Sequence, residues 1–276
     1  MTISRARLIL LACASGFLYP LSFPAFDFGL VAWFALVPLH IAVEYASPKR
    51  AFRVGWLAGT LAFTGAMFWV ITAMNVYGKV PFPIATLVMF LLTIYLGLYL
   101  GLYAGLLSWI RTAFPTLGFL PAPFLWVTLE LIRTYFLSGL PWALFGYSQY
   151  QWLPIIQFAD HFGVYGVSFL LVLVNAALAE TLIWSFKAYR GFQIRSFPWP
   201  SSVAAAAGFG VALFYGTSVL SAAQHATPRM LTVGLVQPNV EQAQKWDVAF
   251  RQETMSRYDR LTAALGENLD LIVWPE

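Results

Sequence analysis

Apolar residues run along this chain in long blocks almost free of charge, separated by short stretches that hold Pro, Gly, Lys or Arg. A helix needs about 20 apolar residues to cross a bilayer. Seven blocks reach or approach that length: roughly 7–23, 28–46, 54–75, 83–110, 118–138, 162–186 and 200–222. The first is the weakest, because Pro20 and Pro24 shorten it.

From Arg229 the pattern changes. The run 231–236 is short, apolar and rich in β-branched residues, and reads as a buried strand. Gln237-Pro238-Asn239 breaks it. Over 247–265 a helix is predicted with Phe250, Tyr258, Leu261 and Leu265 on one side and Gly266 placed as its C-cap. A second strand is predicted over 271–274, after Asp270. Strand, helix and strand at this spacing make a βαβ unit with parallel strands. Two strands do not form an independently stable sheet, so the pattern calls for more chain or a partner. The expected fold class is an α-helical polytopic membrane bundle of about seven spans over 1–228. The truncated start of an α/β domain follows it over 229–276.

Composition agrees with the membrane class. The chain is 60% hydrophobic and 10% charged, where soluble domains are about a quarter charged. Its net charge of +4 invites a nucleic-acid reading, but the positions of the basic residues explain it better. Alternate loops hold Arg5, Arg7, Lys49, Arg50, Arg53, Arg111, Lys187, Arg190 and Arg195, against Lys79 alone on the other side before the soluble segment. Basic loops stay in the cytoplasm. The N-terminus is therefore expected inside, and an odd number of spans puts the segment from Arg229 outside the cytoplasm. The single cysteine, Cys13, excludes an intramolecular disulfide. Leu10-Leu11-Ala12-Cys13 looks like a lipoprotein cleavage box. The apolar run before it is too short for a signal core, and Cys13 reads better as a small buried residue of the first helix.

Inside the expected bundle, Gly97, Gly101 and Gly105 share one helix face, and Gly55 and Gly59 repeat the spacing in the preceding span. Small residues at this spacing let helices approach closely. Tyr95, Tyr99 and Tyr103 form a second stripe, roughly opposite. Glu130 and Arg133 lie three apart on one helix face. Ionisable groups at membrane depth suggest function, and a mutual ion pair locking the bundle is the structural alternative. The loop 138–161 carries Trp142, Phe145, Tyr147, Tyr150, Trp152 and Phe158, and is expected to lie along the outer interface as a cap. Asp160-His161 is a weak acid–base signal, and His40 and His225 stand alone with no metal-ligand spacing.

Two sets of residues together resemble a family. Val233-Gly234-Leu235-Val236-Gln237-Pro238-Asn239, Lys245-Trp246-Asp247 and Trp274-Pro275-Glu276 look like the opening of a nitrilase-type (αββα) domain. Glu130-Leu131-Ile132-Arg133, Gly139-Leu140-Pro141-Trp142, Gly146-Tyr147-Ser148-Gln149 and the stretch 163–175 look like the membrane part of apolipoprotein N-acyltransferases. The resemblance covers essentially the whole chain, and the joining of these two parts is specific.

The resemblance implies a bacterial inner-membrane enzyme, with its C-terminal segment periplasmic. Such an enzyme moves an acyl chain from a phospholipid to the α-amino group of the diacylglyceryl-cysteine of a lipoprotein. It uses no cofactor, metal or nucleic acid. A Glu serves as general base, a Lys stabilises the oxyanion, and a Cys carries the acyl group as a thioester. Of these only the Glu maps here, onto Glu276 at the end of a strand, where α/β enzymes hold catalytic groups. The Lys and Cys are expected beyond Glu276, so the 276 residues read as an inactive N-terminal fragment. Lys245 is not equated with the catalytic Lys. The resemblance implies that Trp246 lines the acyl-chain entrance, with plain packing as the alternative. Two rivals remain, a transporter or channel with a small external appendage and a membrane-anchored nitrilase-type amidase.

Overall fold

The computed structural model describes residues 3–192, 196–225, 230–245 and 247–275. Ser4 opens α1 (Arg5–Leu21) by accepting a hydrogen bond from Arg7 N, which satisfies one free N–H of the first turn. A 3₁₀ turn (Gly29–Trp33) leads into α2 (Val37–Tyr45), so the block 28–46 is broken rather than one helix. Neighbours take up the freed backbone groups. Asn175 Oδ1 accepts from Leu36 N at 2.8 Å, Asn175 Nδ2 donates to Ala32 O at 2.8 Å, and Ser15 Oγ accepts from Leu39 N at 2.9 Å. Irregular backbone in a bundle is tolerated only where protein satisfies it in this way.

Next come α3 (Pro48–Met67) and α4 (Trp69–Thr72), which runs into a π-turn (Ala73–Tyr77). The segment Trp69–Tyr77 is bent 49° from α3, so the third expected span is kinked. It starts six residues earlier than expected, at Pro48, whose fixed φ suits a helix start. Helix α5 (Phe82–Ala113) is continuous. A 3₁₀ turn (Pro115–Leu117) precedes α6 (Ala122–Tyr135), which stops short of 138 in a 3₁₀ turn (Phe136–Ser138). Gly139 then turns the chain back at φ +78°, where a Cβ would sit 1.9 Å from Thr134 O. A 3₁₀ turn (Phe145–Gln149), α7 (Leu153–Ile156), α8 (Ala159–Tyr189) and α9 (Trp199–His225) complete the apolar part.

Among the described residues α5, α8 and α9 are long and apolar enough to cross a membrane, and α3 with its bent continuation makes a fourth. The 17 residues of α1 and the 14 of α6 extend only about 26 and 21 Å at 1.5 Å per residue.

Side-chain contacts fix the direction of each segment. A Cβ on Gly59 would lie 2.8 Å from Gly97 Cα, and one on Gly55 2.5 Å from Ala104 Cβ, so α3 and α5 run antiparallel at very close approach. This is the packing the glycine spacing predicts. The tyrosine stripe turns inward: Tyr103 OH is 2.6 Å from His40 Nε2, and Tyr99 OH is 3.0 Å from Tyr95 OH. Gly16 abuts Ala58 and Gly65 abuts Pro20, so α1 runs parallel to α3. Glu44 and Ala46 at the end of α2 meet Arg111 and Ser108 near the end of α5, and Lys187 near the end of α8. Glu180 of α8 accepts from Phe119 N, just before α6, and from Ser201 at the start of α9. The seven apolar segments thus run in alternating directions, and one end gathers the basic residues of α3, α5 and α8. Cys13 is half-buried rather than buried.

The last segment forms β1 (Val233–Leu235), α10 (Gln242–Lys245), a 3₁₀ turn (Val248–Phe250), α11 (Arg251–Ala263) and β2 (Leu271–Val273). The strands pair in parallel, Val233 with Leu271 and Leu235 with Val273, as the spacing predicts. Both are shorter than expected. Helix α11 ends on Ala264 in the αR region, so Gly266 does not serve as a left-handed cap. The strands remain largely exposed, as expected of a two-stranded sheet with little to pack against.

Candidate functional site

Two places combine unusual geometry with polar chemistry. The first is the carboxyl edge of the parallel strands. Asp270 sets their register: its N–H donates to Thr232 O at 2.9 Å and its Oδ2 accepts from Thr232 N at 2.8 Å. Beyond β2, Trp274 is clamped onto α11. Its ring stacks on Tyr258 with centroids 4.9 Å apart, and its Nε1 donates to Thr262 Oγ1 at 2.9 Å. Arg257 Nη1 donates to Pro238 O at 3.1 Å and ties the exit of β1 to the same helix. The ends of both strands are therefore held against one helix face, with Pro275 restricting the backbone of Trp274. Trp246 and Glu276 both lie outside the described residues, so the strand end is defined up to Pro275.

The second place is the loop after α6. The sequence predicts an interfacial cap there, and only part of the loop behaves so. Trp142 is 54% exposed and touches Trp69 (centroids 5.1 Å), whereas Phe145 is 0% exposed and stacks on Tyr19 at 5.1 Å. Trp152 packs on Trp33 and Phe209. The loop dips into the bundle, and its backbone polar groups are met there by side chains, as burial demands. Arg133 donates from Nη1 to Trp142 O at 2.8 Å and from Nη2 to Ala143 O at 3.4 Å. Tyr19 OH donates to Ala143 O at 3.0 Å. Glu130 Oε1 accepts from Phe145 N at 2.7 Å, and Ser168 Oγ from Gly146 N at 2.8 Å. A Cβ on Gly146 would lie 2.4 Å from Val164 O, so the strand of loop fits only as glycine. Ala143 is held at φ +50°, a region an L-residue enters only under constraint.

Glu130 and Arg133 are 4% and 3% exposed, and both face the bundle interior, as the cost of charge in lipid requires. The expected ion pair between them is not formed. Arg133 spends its guanidinium and Glu130 its Oε1 on the loop backbone, because the turn at Gly139 brings unpaired carbonyls and an N–H within reach of the end of α6; Glu130 Oε2 is buried without a hydrogen-bond partner. Further along, Gln149 Oε1 accepts from Trp33 Nε1 at 3.0 Å, and its Nε2 donates to Gly29 O at 2.8 Å. The sequence reading missed Tyr19, Gln149 and Ser168 as partners. Their signal was a polar atom within, or bordering, an otherwise apolar run. Asp160 and His161 are exposed, with Asp160 accepting from Tyr215 of α9 and His161 against the same ring. His40, expected to stand alone, is buried on Tyr103. Among the described residues no three His, Cys, Asp or Glu side chains gather closely enough to hold a metal.

Alternating apolar helices, a buried polar clamp at one end and a parallel strand pair after the last helix define a helical membrane protein carrying an α/β segment. Residues 15–177 match the family described as apolipoprotein N-acyltransferase N-terminal domain. The chain belongs to that family. Among curated proteins it is similar to apolipoprotein N-acyltransferases from Geobacter metallireducens, 38% identical over 272 residues, and Azotobacter vinelandii, 32% identical over 272 residues. In each case the match covers 97% of this chain and 50% of the relative. That from Chlorobaculum tepidum is 31% identical over 273 residues, which cover 95% of this chain and 47% of the relative. The chain thus spans about half the length of the curated relatives it matches.

Proposed function

We propose that this chain is the membrane part and the opening of the catalytic domain of an apolipoprotein N-acyltransferase. The acyl donor is a phospholipid, and the acceptor is the α-amino group of a lipoprotein's diacylglyceryl-cysteine. The two units are 1–228, a bundle crossing the bacterial inner membrane seven times, and 229–276, the first βαβ piece of a nitrilase-like domain on the periplasmic face. The alternating directions of the seven apolar segments support seven crossings, with the short α1, α2 and α6 tied to their neighbours by buried polar contacts. The gathering of basic side chains at one end supports a cytoplasmic N-terminus.

The observation that carries the catalytic reading is the parallel pair β1–β2, with Trp274 locked onto Tyr258 and Thr262 at its carboxyl end. Such edges are where open α/β sheets hold their chemistry. In this reading Glu276, the next residue but one, is the general base that takes a proton from a cysteine thiol. The thiolate attacks the phospholipid ester carbonyl, the ester oxygen leaves with a proton as lysophospholipid, and a thioester holds the acyl chain. The lipoprotein amine then attacks the thioester, releasing the thiol and forming the amide. Trp246 lines the acyl entrance.

Residues 1–276 contain one thiol, Cys13 in α1, and alone are expected to form no acyl-thioester. Joined to the remaining half of the Geobacter metallireducens relative, they should form one, and Glu276→Gln should abolish it while membrane insertion is retained. Thioester formation by that variant at the parental rate would show that Glu276 is a structural partner and not the base.

A further inference from the structure

The basic end of the bundle holds a cavity of about 630 Å³ between α2, α5, α8 and the start of α9, lined by no residue of the loop clamp or of the α/β segment. Four charged side chains reach it: Glu44, Arg111, Glu180 and Lys187. Their hydrogen bonds are unevenly filled. Every carboxylate oxygen already accepts one: Glu44 from Arg111 and, at 2.6 Å, from Lys187 Nζ, and Glu180 from Phe119 N at 2.7 Å and from Ser201. The donors are not used up. Lys187 spends one of its three protons in this way and is a third exposed. Thr116 and Ser196 add hydroxyls to the wall. What the cavity offers a visitor is hydrogen-bond donation.

Charge narrows the visitor further. Arg5, Arg7, Lys49, Arg50, Arg53 and Arg190 belong to the same end, where the only carboxylates before α9 are Glu44 and Glu180. That field draws anions toward the cavity. Inside it the two carboxylates oppose a second negative charge, which selects a monoanion over a dianion. Apolar side chains line the wall beside them: Leu117, Leu120, Ile183, Trp184 and Phe197. A permanent monoanion with hydrogen-bond acceptors on one side and hydrocarbon on the other is a phosphodiester attached to acyl chains.

We propose that this cavity binds the phosphodiester headgroup of a membrane phospholipid, with Lys187 and the Thr116 and Ser196 hydroxyls on the phosphate oxygens and Trp184 and Phe197 against the glycerol and first acyl carbons. Basic pockets between helices at the positive face of a membrane protein are suited to anionic headgroups, and the volume falls in the usual range for a small-molecule site. The site is separate from the acyl-transfer reading and does not depend on it.

The test is native mass spectrometry of the whole chain in detergent, titrated with dihexanoylphosphatidylglycerol and, in parallel, with inorganic phosphate. Saturable one-to-one binding of the lipid is expected, with inorganic phosphate unable to displace it. Thr116→Trp, which fills the mouth without touching the charge network, and Lys187→Met should each weaken lipid binding by about tenfold, the worth of a charge-assisted hydrogen bond or of the apolar seat. Lys49→Met, at the same end but outside the cavity, should change it less than about twofold. Displacement by inorganic phosphate at equal concentration would make this a free-anion site and overturn the lipid assignment. Absence of saturable binding, or equal weakening by Lys49→Met, would overturn the site itself. Should Lys187→Met fail to fold, Thr116→Trp carries the same test.

Discussion

Glu130 and Arg133 give the sharpest quantitative expectation. Both are buried at the end of α6, and both hold the backbone of 142–145, yet they are not bonded to each other. Arg133→Met leaves Trp142 O without its donor, and loss of a hydrogen bond to a charged group costs about 1.5–3 kcal/mol. It also leaves Glu130 without the only opposite charge on its face of the helix. Side chains three apart on a helix have Cβ atoms about 5–6 Å apart. At an effective dielectric of about 20 the lost attraction is then about 3 kcal/mol. Together these put Arg133→Met at about 4.5–6 kcal/mol, at or slightly above the usual cost of about 3–5 kcal/mol for stranding a buried charge. Glu130→Gln keeps an acceptor for Phe145 N and removes only the charge, so it should cost about 2–3 kcal/mol. In the double variant neither charge is stranded, and its cost should fall short of the sum by about 2–3 kcal/mol. Denaturant unfolding of the four proteins in detergent, followed by Trp fluorescence, measures this coupling. Additivity within about 0.5 kcal/mol would show that the two charges do not sense each other and that the clamp works through hydrogen bonds alone.

Two further outcomes follow from packing and direction. Gly59→Val places a side chain 2.8 Å from Gly97 Cα and O and should cost about 1–3 kcal/mol, seen as a lower melting temperature. Gly210→Val, where a Cβ meets nothing within 4 Å, serves as the control, and an equal loss there would refute the close-approach argument. Reporter fusions at residue 50 and at residue 225 should report opposite sides of the membrane, since α3 begins at the basic end and α9 finishes at the other. The same side for both would overturn the alternation.

The places where sequence and structure agree share a cause. The α3–α5 contact was legible because glycines four apart leave a groove that only another backbone fills. The parallel β1–β2 pair was legible because its two apolar runs are too short for helices and are separated by enough chain for a crossover. Helix continuity was less legible. Hydropathy along 28–46 and 54–75 is unbroken; Pro38 in the first turn of α2 is the one sign of the stop at Phe34–Leu36, and nothing marks the bend at Phe68. Those breaks persist because residues far away in sequence, Asn175 and Ser15 for the first, accept the freed N–H groups. The same holds for Glu130 and Arg133. Their spacing suggests a pair, but the better partners are carbonyls and an N–H that a tertiary turn delivers. The catalytic reading of Glu276 and the entrance role of Trp246 rest on the family resemblance and on the strand geometry up to Pro275.

The two ends of the bundle spend their buried polar groups in opposite ways, and this bears on where chemistry can occur. At the basic end, charges pair with charges, and the carboxylate oxygens are filled by Arg111, Lys187, Ser201 and Phe119 N. Such a network fixes helix ends but leaves no carboxylate free to take a proton. At the other end Glu130, Arg133, Tyr19 and Ser168 bind backbone instead, and what they hold still is a loop that exposes Trp142, Tyr147 and Tyr150. Trp142 stands out from that loop against Trp69 of α4. Rigid, amphipathic rings at an interface suit contact with lipid and with acyl-bearing substrates. In the proposed function, an aromatic rim at the end where α9 finishes would let two membrane-anchored substrates meet without leaving the bilayer.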